Sequence, residues 1–315
     1  MDSLFYNGLT DNLKTPLAGR NVTLTRGEWV DEKRQGRVVA YKIYRPEVMG
    51  TERLPVIIWS HGLGGSRDGA GFLSRYVASY NYIIVHIQHV GTDSSLWEGK
   101  PGHPWAVIKA TKIPRRATLQ RFQDVKFVID QITAMNDPQM DLSKLGMCGH
   151  SFGALSTQMA CGQSRGRGRR LYRVSDDRIK CGIAYSPVTV QKKYGHPPAD
   201  FYGTIDRPMM YMTGTDDNSP VIPNYTYQKR IEVFEYAGAG NQFLLIKNGG
   251  DHMVYNGSRG GLAANDKREV HEQIICLASL LFWEAFLRDD QKAFEILTGS
   301  AFKYWLNGNG EFKFR

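Results

Sequence analysis

Short, nearly unbroken apolar runs recur along the chain: PVIIWS (55–60), YIIVHI (82–87), LGMCG (145–149), CGIAYS (181–186), PMMYMTG (208–214) and FLLIK (243–247). Runs of this length without polar alternation suit strands covered on both faces of a mostly parallel sheet. Between them the period changes. Phe122, Val125, Val128, Ile129 and Ile132 recur at helical spacing, and so do Val270, Ile274, Leu277 and Leu281; such stripes pack helices onto a sheet. Ahead of all these, NVTLTRGEWVD and RVVAYKIYRP alternate roughly and are rich in β-branched residues, which predicts an antiparallel strand pair turning at EKRQG. Strand and helix alternation through most of the chain predicts an α/β fold with one central, mostly parallel sheet flanked by helices. We read residues 1–315 as one domain.

Two segments interrupt the alternation. Residues 91–114 follow a strand, hold Trp97 and Trp105, and are too long for an ordinary connection. At the carboxyl end of a parallel strand such a segment overhangs the crevice where α/β proteins bind ligands, so both tryptophans are candidate substrate-binding residues. The second insertion, 163–178, is predicted as a loop.

Composition changes this picture little. At 315 residues the chain can bury a core without disulfides or metal. Its four cysteines, Cys148, Cys161, Cys181 and Cys276, show neither CxxC nor zinc spacing. Net charge is +9, and SRGRGRRLYR concentrates five arginines. No recognition motif or interleaved aromatic platform accompanies them, so a nucleic-acid partner is not expected, whereas an anionic substrate or headgroup suits them better. The sequons at Asn21, Asn224 and Asn256 carry no argument. The apolar run 274–283 is shorter than a membrane span, and MDSLFYNGLTDNLK lacks a basic stretch followed by an apolar core. These readings predict no membrane span and a cytoplasmic protein. His86 and His89 form an H-x-x-H pair, for which Asp93 or His103 would be the third ligand of a metal site; no metal or other cofactor is expected.

The chemistry centres on Gly149-His150-Ser151-Phe152-Gly153, a G-x-S-x-G between a predicted strand and a predicted helix. That context presents a serine nucleophile on a sharp turn, and the helix N-terminus supplies dipole and free N–H groups beside the reacting carbonyl. A serine needs a base and an orienting acid. Of eight histidines, His252 lies in the Gly-rich loop KNGGDHMVYNG after the last predicted strand, where it follows nucleophile and acid in chain order. The acid belongs between them after a strand, and TGTDDNSPV offers Asp216 and Asp217. Asp217 is preferred for its G-x-x-D spacing from Gly214. Oxyanion donors are expected from the N–H of Phe152, whose ring would face substrate, and of Leu63 in HGLGGSRDG.

Assembled, SHGLGG, GHSFGA, TGTDDNSPV and GGDHMVY make the chain resemble the α/β-hydrolase superfamily over about residues 55–283. Within it the chain looks like the group of dienelactone-hydrolase-like esterases that also holds platelet-activating-factor acetylhydrolases and cutinase-like polyesterases. The resemblance implies a metal-independent serine hydrolase of carboxylic esters, polymer or lipid esters included. It departs from each branch. Dienelactone hydrolases use cysteine where Ser151 stands. Animal-type platelet-activating-factor acetylhydrolases carry the acid after the strand following the nucleophile, where this chain has Tyr185-Ser186-Pro187. Cutinases carry Pro-Trp there, against Pro187-Val188. A non-catalytic binding protein on the same fold is the alternative of another class.

Overall fold

A computed structural model describes residues 20–47, 51–168, 170–257 and 265–315. The reading made on the first fourteen residues lies outside them. The strands are β1 (Val22–Asp31), β2 (Arg37–Pro46), β3 (Leu54–Ser60), β4 (Ile83–Ile87), β5 (Met140–His150), β6 (Arg165–Arg167), β7 (Arg170–Tyr172), β8 (Ile179–Tyr185), β9 (Met209–Asp216), β10 (Gln242–Asp251) and β11 (Gly310–Phe314). The helices are α1 (Gly71–Ser79), α2 (Pro104–Ala110), α3 (Arg115–Ala134), α4 (Phe152–Ala160), α5 (Pro198–Tyr202), α6 (Tyr227–Arg230), α7 (Glu232–Tyr236), α8 (Arg268–Leu287), α9 (Gln291–Thr298) and α10 (Ala301–Leu306).

Among the described residues nine strands form one sheet in the order β1-β2-β4-β3-β5-β8-β9-β10-β11. From β4 to β10 every neighbouring pair is parallel, while β1, β2 and β11 run antiparallel to their neighbours. The expected N-terminal pair is present, with Val22 opposite Pro46 and Asp31 opposite Arg37. β3 and β4 are buried along their whole length, as strands covered on both faces must be. Helices α1, α8, α9 and α10 close one face around Trp59, Tyr185 and Leu245. Helices α3, α4, α5 and α7 close the other around Ile58, Met147 and Tyr211. The topology is that of the α/β-hydrolase fold.

Three features differ from the sequence reading. Part of the arginine-rich segment is a two-stranded antiparallel hairpin, β6–β7, instead of a loop. Helix α8 extends well beyond the run 274–283: its length and mean hydropathy of 1.4 suffice for a membrane span, yet 78% of that window is buried within the protein. That burial marks it as a core helix, because its apolar surface already faces the sheet. The C-terminal strand β11 was not foreseen, and it covers the edge of β10.

Candidate active site

The chemistry-bearing loops all leave the carboxyl ends of parallel strands, where open α/β sheets gather ligands. Ser60 pairs with Gly149, His150 with Tyr185, and Asp251 with Asp216, which brings the ends of β3, β5, β8, β9 and β10 to one edge. Ser151 follows β5 with φ 55° and ψ −111°, a left-handed conformation costly for a residue with a Cβ. It is held by its own N–H donating to the Tyr185 carbonyl at 2.8 Å. The flanking glycines are steric requirements. A Cβ on Gly153 would lie 1.8 Å from the Ser60 carbonyl oxygen, and one on Gly149 would lie 2.6 Å from backbone atoms of both Gly153 and Ser60. Strand, turn and helix pack too closely there for any side chain.

Ser151 lines a cleft of about 190 Å³ with His252, His150, Gly62, Leu63 and Met253. Trp97, His103, Pro104, Trp105 and Ile108, from the segment 91–114, form one wall of it. The segment carries a 3-10 turn at Ser94–Leu96 and α2. His252 Nδ1 lies 2.7 Å from Asp217 Oδ1. Asp216 makes no such contact: it is exposed, and Thr215 Oγ1 lies 3.5 Å from its carboxylate. Asp251, next to the histidine, accepts instead from the Met253 N–H at 2.8 Å.

Asp217 is buried and richly partnered. Ser186 Oγ and Thr213 Oγ1 donate to its Oδ2 at 2.7 and 2.8 Å, and Arg230 Nε lies 3.1 Å from its Oδ1. Burial by itself pushes its pKa up; the guanidinium of Arg230, His252 and the hydrogen bonds more than offset this and hold the carboxyl well below the usual carboxylate range. Ser186 directly follows β8, and its hydroxyl ties that strand end to the carboxylate that follows β9.

Arg230 went unnoticed in the sequence. Its side chain is buried, donates to the carbonyls of Asp217 and Pro187 at 3.1 and 3.0 Å, and places Nη2 3.2 Å from His252 Nδ1. On the opposite flank Lys247 is buried, donating to the Thr213 carbonyl at 3.0 Å and to the Tyr255 hydroxyl. Burial pulls its pKa down to about 7, against the attraction of Asp217 and Asp251.

Leu63 borders the cleft and Phe152 opens α4, and neither N–H donates to a backbone carbonyl among the described residues. The loop carrying Leu63 is tied down from below. Trp97 Nε1 donates to the Gly64 carbonyl at 2.7 Å, and the His89 N–H donates to His61 Nε2 at 3.0 Å. That second bond makes His61 Nδ1 the protonated nitrogen, which donates to the Gly62 carbonyl at 2.6 Å. Burial and the charge of Arg121 keep this imidazole neutral. Arg121, fully buried in α3, donates to Ser60 Oγ at 3.0 Å, Ser156 Oγ at 3.0 Å, Thr92 Oγ1 at 2.9 Å and the His61 carbonyl.

The ring of Phe152 differs from expectation. The guanidinium of Arg121 sits 4.7 Å from its centroid, and the ring packs on Phe122, Leu155 and Met159, so it supports the turn and is not part of the cleft lining. His86 and His89 are spoken for by protein groups. His86 contacts Ser74 Oγ at 2.6 Å and the Arg67 carbonyl at 2.9 Å; His89 contacts Ser60 Oγ at 2.9 Å and Asp124 at 3.0 Å. His103 sits on the cleft wall and caps α2. Arg121 and Asp124 did leave a trace in the sequence: they fall four residues before Val125 and Val128 on the apolar stripe of α3, which marks buried charge.

Fold and site together define an α/β-hydrolase with the residue layout of a serine hydrolase. Residues 5–97 match the family model described as platelet-activating factor acetylhydrolase, isoform II. Two curated relatives carry the name platelet-activating factor acetylhydrolase. The guinea pig protein (Cavia porcellus) is 21% identical over 280 residues, covering 76% of this chain and 59% of its own length. The dog protein (Canis lupus familiaris) is 23% identical over 170 residues, covering 42% of this chain and 35% of its own. The chain thus spans less than two thirds of the length of either curated relative. Over these spans the chain is similar to platelet-activating factor acetylhydrolases.

Proposed function

We propose that the protein is a serine carboxylesterase in which Ser151 attacks the ester carbonyl while His252 takes its proton through Nε2. Asp217 fixes the imidazole tautomer through Nδ1 and stabilises the imidazolium that forms. The N–H groups of Leu63 and Phe152 bind the oxyanion. His252 then protonates the departing alcohol, and water hydrolyses the acyl-enzyme by the same roles reversed. The observation that carries the reading is the 2.7 Å contact between His252 and a buried, ionised Asp217, at the edge of a cleft that His252 shares with Ser151. The strained Ser151 backbone and the two free amides support it.

The substrate we propose is an ester with a short acyl group, lipid esters included. Two observations support this: the cleft is only about 190 Å³ and is walled by Leu63, Trp97, Trp105, Ile108 and Val221, and the relatives are named for acetyl hydrolysis. Trp97 and Trp105 offer apolar surface to an acyl or alcohol group. A panel of p-nitrophenyl esters tests the reading. Acetate and butyrate should be hydrolysed faster than long-chain esters, and Ser151→Ala should abolish turnover. Equal activity on every chain length would contradict the short-acyl assignment, and turnover by Ser151→Ala would contradict the mechanism.

A further inference from the structure

The arginine-rich segment and the start of α3 enclose a second cavity, of about 170 Å³, which among the described residues shares no lining with the cleft at Ser151. Arg115 and Thr118 reach it from α3, Arg165 and Tyr172 from the β6–β7 hairpin, and Tyr194 from the loop after β8. Two periodicities bring them together. Residues three apart on a helix share a face, which aligns Arg115 with Thr118. Arg165 and Tyr172 stand directly opposite in the hairpin register, so their side chains leave on one face. The hairpin is tied down where it begins: the Ser164 N–H donates to the Phe201 carbonyl at 2.8 Å, and Ser164 Oγ lies 3.0 Å from Thr204 Oγ1.

The cavity is rich in donors and, among the described residues, no carboxylate lines it. Arg165 Nη1 is buried and has no protein acceptor among the described residues. A buried guanidinium N–H left unpaired is costly, so it marks a place that suits an acceptor from outside the chain. The acids that follow Tyr194 in the chain are engaged elsewhere, Asp200 with His196 at 3.0 Å and Asp206 with Arg173 at 3.5 Å. Arg115 also opens α3, which has no side-chain cap at Pro114, so the positive end of a 20-residue helix adds to the two guanidinium charges.

We propose that this cavity binds a phosphate group between the guanidinium groups of Arg165 and Arg115, with the hydroxyls of Tyr172, Tyr194 and Thr118 as further donors. The guanidinium fork matches the spacing of phosphate oxygens, and so many donors around one cavity suit a group with more acceptor oxygens than a carboxylate has. A soluble phosphate ester and a phospholipid headgroup carry the same chemistry. The site stands whether or not Ser151 is the nucleophile.

The test titrates inorganic phosphate into the intact chain by calorimetry at constant ionic strength. A second arm measures co-sedimentation with vesicles of phosphatidylcholine alone and of an equimolar mixture with phosphatidic acid. Wild type is compared with Arg165→Gln, Arg115→Gln and Arg173→Gln, each checked for its fold by circular dichroism. Phosphate should bind at one saturable site, and loss of either lining arginine should weaken it by about tenfold to a hundredfold. Arg115 is exposed, so its variant carries the test if Arg165→Gln does not fold. Arg173 belongs to the same basic segment but does not line the cavity, and Arg173→Gln should bind as wild type does. Phosphate binding without a vesicle response assigns a soluble ligand. Co-sedimentation with the phosphatidic acid vesicles that Arg165→Gln or Arg115→Gln abolishes assigns a lipid headgroup. The proposal is overturned by the absence of both responses, by binding that survives loss of either lining arginine, or by an equal loss in Arg173→Gln, which would show diffuse charge instead of a site.

Discussion

Replacing Asp217 by Asn removes one charge and leaves the shape of the site almost unchanged, so its effect can be worked through group by group. The amide still accepts from Ser186 and Thr213, whose hydroxyls now lie 2.7 and 2.8 Å from Oδ2. What disappears is the partner for the His252 Nδ1 proton and for the buried Arg230. With the tautomer no longer enforced, kcat should fall about 10⁴-fold, as for the corresponding change in the Ser-His-Asp template. That is about 5.5 kcal/mol of transition-state stabilisation. The buried cation left behind adds a folding cost of about 3–5 kcal/mol, lowering Tm by about 5–8 °C. Asp216→Asn is the control: the side chain is exposed and should change stability by no more than about 0.5 kcal/mol. Hydrolysis of p-nitrophenyl acetate and a thermal melt on both variants give the answer. Activity within tenfold of wild type in Asp217→Asn, or an equal loss in Asp216→Asn, would refute the assignment of the acid.

Other outcomes follow from the same contacts. Arg121→Met should lower kcat about 10²–10³-fold with little change in KM, because it frees the His61 carbonyl and the loop that presents Leu63; unchanged kcat in a folded variant would show that the loop does not depend on it. Gly153→Ala should fail to accumulate as folded protein, since its Cβ would lie 1.8 Å from the Ser60 carbonyl oxygen, and a soluble, active variant would contradict that packing. The Asp124 carboxyl gives an acid-stability prediction. Burial pushes it up, but hydrogen bonds and charge from Arg37 and His89 bring it down to about 2. A depressed folded pKa stabilises the protein above the unfolded value of about 3.9 and loses that contribution as pH falls toward the folded one. The stability gap between wild type and Asp124→Asn should therefore shrink by about 2 kcal/mol between roughly pH 5 and pH 2, read from urea midpoints. A constant gap would contradict it.

Much of this architecture is legible because it is local. Strands buried on both faces must be apolar along their length, so β3, β4, β8 and β9 announce themselves as runs. The turn at Ser151 is legible for a steric reason: only glycine fits at 149 and 153. β11 is not legible, because GEFKF is half exposed and becomes a strand only by meeting β10 some sixty residues earlier. The arginine-rich segment reads as a loop because β6 and β7 are three residues each, too short to show a period. At the site, the choice between Asp216 and Asp217 turns on which side chain faces inward from one turn, and spacing only hints at that. Arg230 is harder still. Its partners Asp217, Ser186 and His252 sit in the loops that follow three different strands, and a buried cation has no one-dimensional signature unless, like Arg121, it interrupts an apolar stripe.

The central claim is that Ser151 is the nucleophile, activated by His252 and Asp217. Labelling with a fluorophosphonate or sulfonyl fluoride, followed by peptide mapping, tests it most directly. The account predicts one covalent adduct on the peptide containing GHSFGA, at Ser151, formed in step with loss of esterase activity and absent from His252→Asn. An adduct on another residue that tracks inactivation, or an inactivated enzyme with Ser151 unmodified, would contradict it.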